Sequence, residues 1–189
     1  SKVKASKILD IIRSNKNPYE DMIVEEIIQD IIHDVYSKED RIAFLETKLE
    51  TLIQETGYQI MTIPGVSIAT AGKIISEIGD VNRFKNEQQL ARYTGIAPVS
   101  IGSAGKNKEE ASRGGNRELR ATSYFLAVGM ISTNIHKEAR QPYFRDYFLK
   151  KLQEGKTKQQ ALICIMRQLV KIIHVMMKNK SEWKQPEYK

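Results

Sequence analysis

With 189 residues, 41% of them apolar, the chain can build one sizeable core, or a helical arm plus one compact domain, and wholesale disorder is excluded. No run of about 18 apolar residues occurs, and the opening SKVKASKILDIIRS lacks a signal peptide's apolar centre, so a cytoplasmic chain without a membrane partner is expected. The single cysteine, Cys164, excludes intrachain disulfides and thiolate zinc sites and reads as a buried thiol.

The net charge of +7 is segregated. Residues 1–60 carry 8 Lys/Arg against 12 Asp/Glu, whereas residues 81–189 hold a net +12. An acidic arm is therefore joined to a basic body, and the body suits a polyanion, because Lys and Arg contacts to phosphate release counterions. Ordinary solubilising charge is the competing explanation.

In chain order, a short helix over 3–13 ends in SNKNP, whose Asn and Pro residues break the periodicity. A long helix follows from Tyr19 to about Glu55, free of Gly and Pro. Ile28, Val35, Ile42 and Leu49 occupy one heptad position and Val24, Ile31, Leu45 and Leu52 the other, with Lys38 as the one charged interruption. The pattern predicts a coiled coil or helical hairpin that self-associates, the alternative being one helix of an intramolecular bundle, with a break possible near Ser37.

Gly57 closes the arm. In MTIPGVSIATAGKIISEIGD, apolar residues recur at helical spacing around Pro64-Gly65, which predicts two short helices joined by a tight turn, with Gly79 as the C-cap. A third helix starts at Asn86, its cap, and runs to Gly95. Residues 98–117 are rich in Gly, Lys/Arg and Ser and read as a loop, with a short strand possible at Val99 to Ile101. Helices resume over 117–135, 142–154 and 158–178, before a frayed tail. The expected fold is all-α, a coiled-coil arm (1–56), a compact helical domain (57–180) and a tail (181–189).

Two segments could carry chemistry. Ile63-Pro64-Gly65-Val66-Ser67 resembles the helix-hairpin-helix of DNA-binding proteins, in which the first amides of the second helix hold a phosphate. Gly65, Ser67 and Lys73 would make that contact, reading backbone and not bases; a buried αα-hairpin is the alternative. In the loop GIAPVSIGSAGKNKEEASRGGNRELR, glycines permit close backbone approach, while Lys106, Lys108, Arg113, Arg117 and Arg120 offer cationic donors beside the hydroxyls of Ser100, Ser103 and Ser112. Ser103 lies between small residues and three positions before Lys106, which suits either a nucleophile or a turn former.

The order PGV…TA…EIGD…RF…YTGIAP…S.G…GNRELR…EGKTKQQAL…RQLVKIIH resembles the C-terminal region of the DEDD-type insertion-sequence transposases over about residues 57–180. These are relatives of the Piv and MooV DNA invertases and include the bridge-RNA-guided recombinases. The resemblance implies that a serine shortly after the Gly95-Ile96-Ala97-Pro98 element attacks DNA and becomes linked to it. Ser103 stands at that spacing, with Ala104 in place of the family's glycine and Ser112 as the weaker alternative. It also implies a separate RuvC-like nuclease domain whose Asp and Glu residues bind magnesium. Nothing before residue 57 reads as such a domain, so the chain is expected to be a fragment that holds no cofactor itself, with Mg2+ in the missing half, and not to recombine DNA alone.

DNA, and guide RNA by the resemblance, are the expected partners, with a homodimer through the arm and a bacterial, nucleoid-associated setting. Asn116, within the Arg113-Gly114-Gly115-Asn116-Arg117 run, and Arg167 and Lys171, on one basic helix face, complete the nucleic-acid-binding set. Tyr143, Phe144, Tyr147 and Phe148 form one apolar stripe and read as core, and the three histidines are scattered without ligand partners. Two rival readings remain: a binding module in which Ser103 only shapes a turn, and a purely structural dimerisation unit.

Overall fold

The computed structural model describes residues 18–101, 108–111, 114–135 and 138–186, so the helix expected over 3–13 lies outside them. The fold is all-α. Among the described residues there are six α-helices, α1 (Pro18–Thr56), α2 (Ile68–Ile78), α3 (Glu87–Tyr93), α4 (Arg117–Ile131), α5 (Pro142–Gln153) and α6 (Lys158–Asn179). One short antiparallel pair, β1 (Pro98–Ile101) and β2 (Lys108–Ala111), interrupts them. The strand thought possible at Val99 to Ile101 is thus present, and its partner comes from the stretch read as loop.

By packing the chain divides into two units, 1–48 and 49–189. In the first, α1 runs through Ser37 without the break thought possible there. Val24, Ile31, Val35, Ile42 and Leu45 of the heptad seam are all exposed. Phe44 is covered on its ring by Lys48 at 4.6 Å and Arg41 at 5.5 Å, cations that shield an aromatic left on the surface.

The second unit begins with the last turns of α1. Leu49 lies over Gly72 of α2 so closely that a Cβ there would stand 2.8 Å from its methyl carbons, and Ile53 is buried. Of the first arm of the Pro-Gly turn only a 3-10 turn, Ile60–Thr62, forms. The residue before a proline avoids the α region, and Ile63 is extended (ψ 125°), which stops the helix. The Val66 amide then donates to the Ile63 carbonyl (3.1 Å) across Pro64-Gly65, with Gly65 at φ 80°, the position of a type II turn that needs glycine.

Helix ends follow local chemistry. Ser67, Asn86, Asn116 and Thr157 each cap a helix by accepting from a backbone amide, Thr157 in a capping box with Gln160, and Gly79 closes α2 at φ 61°. α4 ends at Ile131 instead of reaching 135. Ser132 turns its hydroxyl to the Gly129 carbonyl (2.8 Å), and Asn134 bonds Glu138, so the polar Ser-Thr-Asn run competes with the helix for its own backbone.

α6 is the central helix, packed against α3, α4 and α5. It is long and apolar enough to cross a membrane by length and composition, yet Ile165, Leu169, Val170, Ile173 and Met177 lie in the core. His174 is buried with them, its Nε2 3.4 Å from the Phe84 carbonyl. Phe144 and Phe148 are buried and Tyr143 and Tyr147 pack on them, so the aromatic stripe is core, as expected. The tail is not frayed through Pro186: the Trp183 ring lies 6.1 Å from Phe144, and its amide donates to the Thr62 hydroxyl (2.8 Å). A large aromatic that can cover apolar surface outweighs the polar residues around it.

Candidate functional site

The site grows from two glycines. Gly95 ends the Tyr93-Thr94-Gly95 turn at φ 75°, and Gly115 precedes α4 at φ 110°, both conformations that side chains resist. Their backbones touch. A Cβ on Gly115 would fall 2.6 Å from the Gly95 Cα and nitrogen, and one on Gly95 would fall 2.3 Å from the Gly114 carbonyl oxygen. The close approach that the loop's glycines permit is made here inside the protein, between the two ends of the loop. Beyond it, Pro98 pairs with Ala111 and Ile101 with Lys108 in the β1–β2 ladder. The result is a hairpin clasped at its base.

Asn116 locks the clasp. Its amide donates to the Tyr93 carbonyl (2.7 Å), its side-chain oxygen caps α4 by accepting from the Leu119 amide (2.8 Å), and its Nδ2 donates to Glu77 Oε2 (2.6 Å) and the Tyr93 hydroxyl (3.1 Å). That hydroxyl in turn donates to the Glu77 carbonyl (3.2 Å). The Arg83 guanidinium stacks at 4.6 Å over both the Phe84 and Tyr93 rings. Donation from Asn116, then Arg83, holds the Tyr93 phenol below its ordinary pKa. One side chain thus ties α2, α3 and α4 together at the hairpin's foot. Asn116→Ala is expected to cost about 2–3 kcal/mol, an N-cap plus the net worth of one or two part-buried hydrogen bonds, read as a fall in urea midpoint.

Cations surround this foot. Lys73 pairs with Glu118, linking α2 to the first turn of α4, and the ammonium holds the Glu118 carboxyl below its usual pKa. Any phosphate that Lys73 meets competes with that carboxylate. On the other side a cleft of about 420 Å³ between α3 and α6 is lined by Arg92, Arg167 and Lys171, with Glu87 as its acid. Arg167 Nε donates to the Ile96 carbonyl (2.9 Å), so this basic side chain also pins the start of the hairpin. Cys164 lines the same cleft and is half-buried, not the fully buried thiol expected.

The residues singled out from sequence distribute as follows. Ser103, Lys106, Ser112 and Arg113 lie outside the described residues, and of Lys108 the backbone alone is described, as the first residue of β2. Gly65 and Ser67 are exposed at the start of α2, where Ser67 Oγ accepts from the Thr70 amide (3.3 Å). Arg117 and Arg120 follow the clasp on α4 and share a second cleft. Arg167 and Lys171 are together in the first. Asn116 has both ends of its carboxamide engaged internally. Glu77, Arg92 and Tyr93 were left out of the sequence-based set, because Glu77 and Tyr93 bond Asn116 from 39 and 23 residues away, Arg92 shares its cleft with Arg167 from 75 residues away, and no local pattern reports either juxtaposition. The glycine at position 95, a residue type that tolerates positive φ, was the one available signal. Among the described residues no group of three or more His, Cys, Asp or Glu side chains could hold a metal ion.

Comparison with known proteins bears on the same region. Residues 57–144 match the model of the Transposase IS116/IS110/IS902 family. The chain is 28% identical over 138 residues to the uncharacterized 43.6 kDa protein of insertion element IS110 from Streptomyces coelicolor, covering 71% of this chain and 32% of that one. It is 33% identical over 121 residues to the pilin gene-inverting protein of Moraxella bovis, covering 63% and 36%. With the uncharacterized 44.8 kDa protein of insertion element IS116 from Streptomyces clavuligerus it shares 27% over 158 residues, covering 82% and 38%. The chain spans about a third of the length of the curated relatives it matches. The match runs from Gly57, through α2, α3, the clasped hairpin and α4, into α5 at Phe144, so it is this part of the body that is similar to the transposases of the IS116/IS110/IS902 family.

Proposed function

We propose that this chain is the DNA-binding, nucleophile-bearing C-terminal part of an insertion-sequence transposase of the DEDD type, and that Ser103 attacks the scissile phosphodiester. The clasp of Gly95 on Gly115 carries this reading. A serine that must meet a phosphate in line needs a loop whose ends do not drift, and here both ends are held on the body. In the reaction Ser103 Oγ gives up its proton and forms a bond to phosphorus as the bond from phosphorus to the leaving sugar oxygen breaks, and that oxygen takes up a proton, so no net proton is gained or lost. A RuvC-like nuclease domain outside these residues would supply magnesium to polarise the phosphate. Lys106 and the basic residues beside it would neutralise the developing charge.

The helix-hairpin-helix reading of Gly65, Ser67 and Lys73 draws support from the exposed turn and the capped N-terminus of α2. Self-association through α1 draws it from the exposed heptad seam, since apolar residues at both seam positions gain by pairing. Guide RNA is a second nucleic-acid partner on this reading, and the setting is the bacterial cytoplasm, at the nucleoid.

The test is covalent trapping. The intact transposase is incubated with end-labelled element DNA, denatured and digested, and the adducted peptide is sequenced by mass spectrometry. A nucleotide on the peptide that contains Ser103 is the expected result. Salt-dependent DNA binding with no adduct would overturn the nucleophile and leave a binding module.

A further inference from the structure

α4 turns an aromatic face to solvent. Phe125 is 73% exposed and Tyr124 43%, with ring centroids 6.0 Å apart at 74°, and Val128 continues the strip one turn on. Phe125 stands between two clefts and lines both. One, of about 410 Å³, holds Arg117 and Arg120. The other, of about 270 Å³, holds Arg140 and the Pro64-Gly65 turn. Among the described residues no Asp or Glu lines either cleft, and the acid of the first turn of α4, Glu118, is bound to Lys73.

Cations on both sides of an exposed aromatic, with no carboxylate lining the clefts, complement an anion that is itself aromatic. A base-paired duplex does not fit that description, since its base faces are already stacked. A strand with unpaired bases offers both a free π-face and phosphates at the spacing of successive nucleotides. We propose that Phe125 and Tyr124 form a stacking platform for an unpaired nucleobase, with the flanking phosphates held by Arg117 on one side and by Arg140 and the Gly65 turn on the other. This rests on the nucleic-acid-binding reading above and adds to it the kind of strand recognised. The strand can be DNA opened during recombination or an RNA, because both present the same base face.

The experiment titrates the 189-residue chain into three 2-aminopurine-containing oligonucleotides of one length, single-stranded DNA, single-stranded RNA and blunt duplex DNA, following anisotropy and quenching. The unaltered chain should quench the probe in at least one of the two single strands, and the tighter of these identifies the source. Phe125→Ala should weaken that strand about tenfold and the duplex by less than about twofold, and Phe125→Trp should restore binding. Because Phe125 is so exposed, Phe125→Ala should melt as the unaltered chain does. Equal losses on all three ligands, or none, would overturn the platform while leaving nucleic-acid binding intact. A changed sedimentation coefficient for Phe125→Ala without nucleic acid would overturn it in favour of a contact between copies. Failure of the unaltered chain to bind any of the three at low salt would remove both readings at once.

Discussion

On the nucleophile reading proposed above, Ser103→Ala in the full-length protein is expected to abolish the covalent protein–DNA species and to lower strand transfer by ~10³-fold or more, while DNA affinity changes by less than about twofold. The size follows from the chemistry. Alanine has no atom that can form the bond to phosphorus, and no neighbour replaces it, because Gly102 and Ala104 carry no nucleophile. The proposed binding groups, by contrast, are lysines, arginines and backbone amides elsewhere in the chain, which the substitution leaves in place. Ser112→Ala is the matched comparison, since Ser112 is the more serious candidate of the loop's other hydroxyls, Ser100 and Ser112. Adduct formation that survives Ser103→Ala and disappears with Ser112→Ala would transfer the role. Retention of adduct by both single variants would sink the serine mechanism in this loop.

Gly115→Ala is expected to be strongly destabilising for a single added methyl group. At φ 110° alanine is strained, and its Cβ would sit 2.6 Å from the backbone of Gly95 and 2.9 Å from the Tyr93 carbonyl. Backbone cannot move aside as the end of a flexible side chain can, so the hairpin foot must open. Opening it pulls Asn116 away from Tyr93 and uncaps α4. The combined cost is about 2–3 kcal/mol, which in a domain of this size lowers Tm by about 5–10 °C. Two internal comparisons separate this from a general effect of removing glycine. Gly114→Ala and Gly129→Ala meet no atom within 4 Å, and Gly129 is inside α4, where alanine is the better helix former. Thermal unfolding of the three variants should therefore rank Gly115→Ala far below the other two. Three similar midpoints would show that the Gly95–Gly115 contact does not hold the hairpin.

Much of the scaffold was legible because it depends on neighbours in sequence. The absence of Gly and Pro from Tyr19 to Glu55 predicted one long helix, and one unbroken helix forms there. Asn86 and Gly79 announced helix ends through their own side-chain and backbone chemistry, and the spacing of Phe144 and Phe148 announced a buried face. A residue's capping power, φ preference and periodicity act over one helical turn, so a linear reading reaches them. The fault at Ile131 was of the same local kind, where Ser132 and Asn134 outbid the helix for hydrogen bonds.

The candidate site was legible in a different measure. Its composition, a glycine-rich basic loop with accessible hydroxyls, was plain, and so was the order of motifs around it. The roles within it were not. Gly115 and Asn116 looked like groups offered to a phosphate, and tertiary structure shows them spent on Gly95, Tyr93 and Glu77. Arg167 looked like one of a row of surface cations, and it reaches across to the Ile96 carbonyl. Trp183 looked like part of a loose tail, and it covers Phe144. By itself the sequence determined which segments become helices, where they start and stop, and which chemistry the loop can offer. Only the tertiary structure decided which glycines touch backbone, which polar groups are consumed internally, and that Phe125 is left in the open between two arginine-lined clefts. The reason is one of range: caps and periodicities are settled within a few residues, whereas a contact between residues 96 and 167 exists only after the chain has folded back on itself.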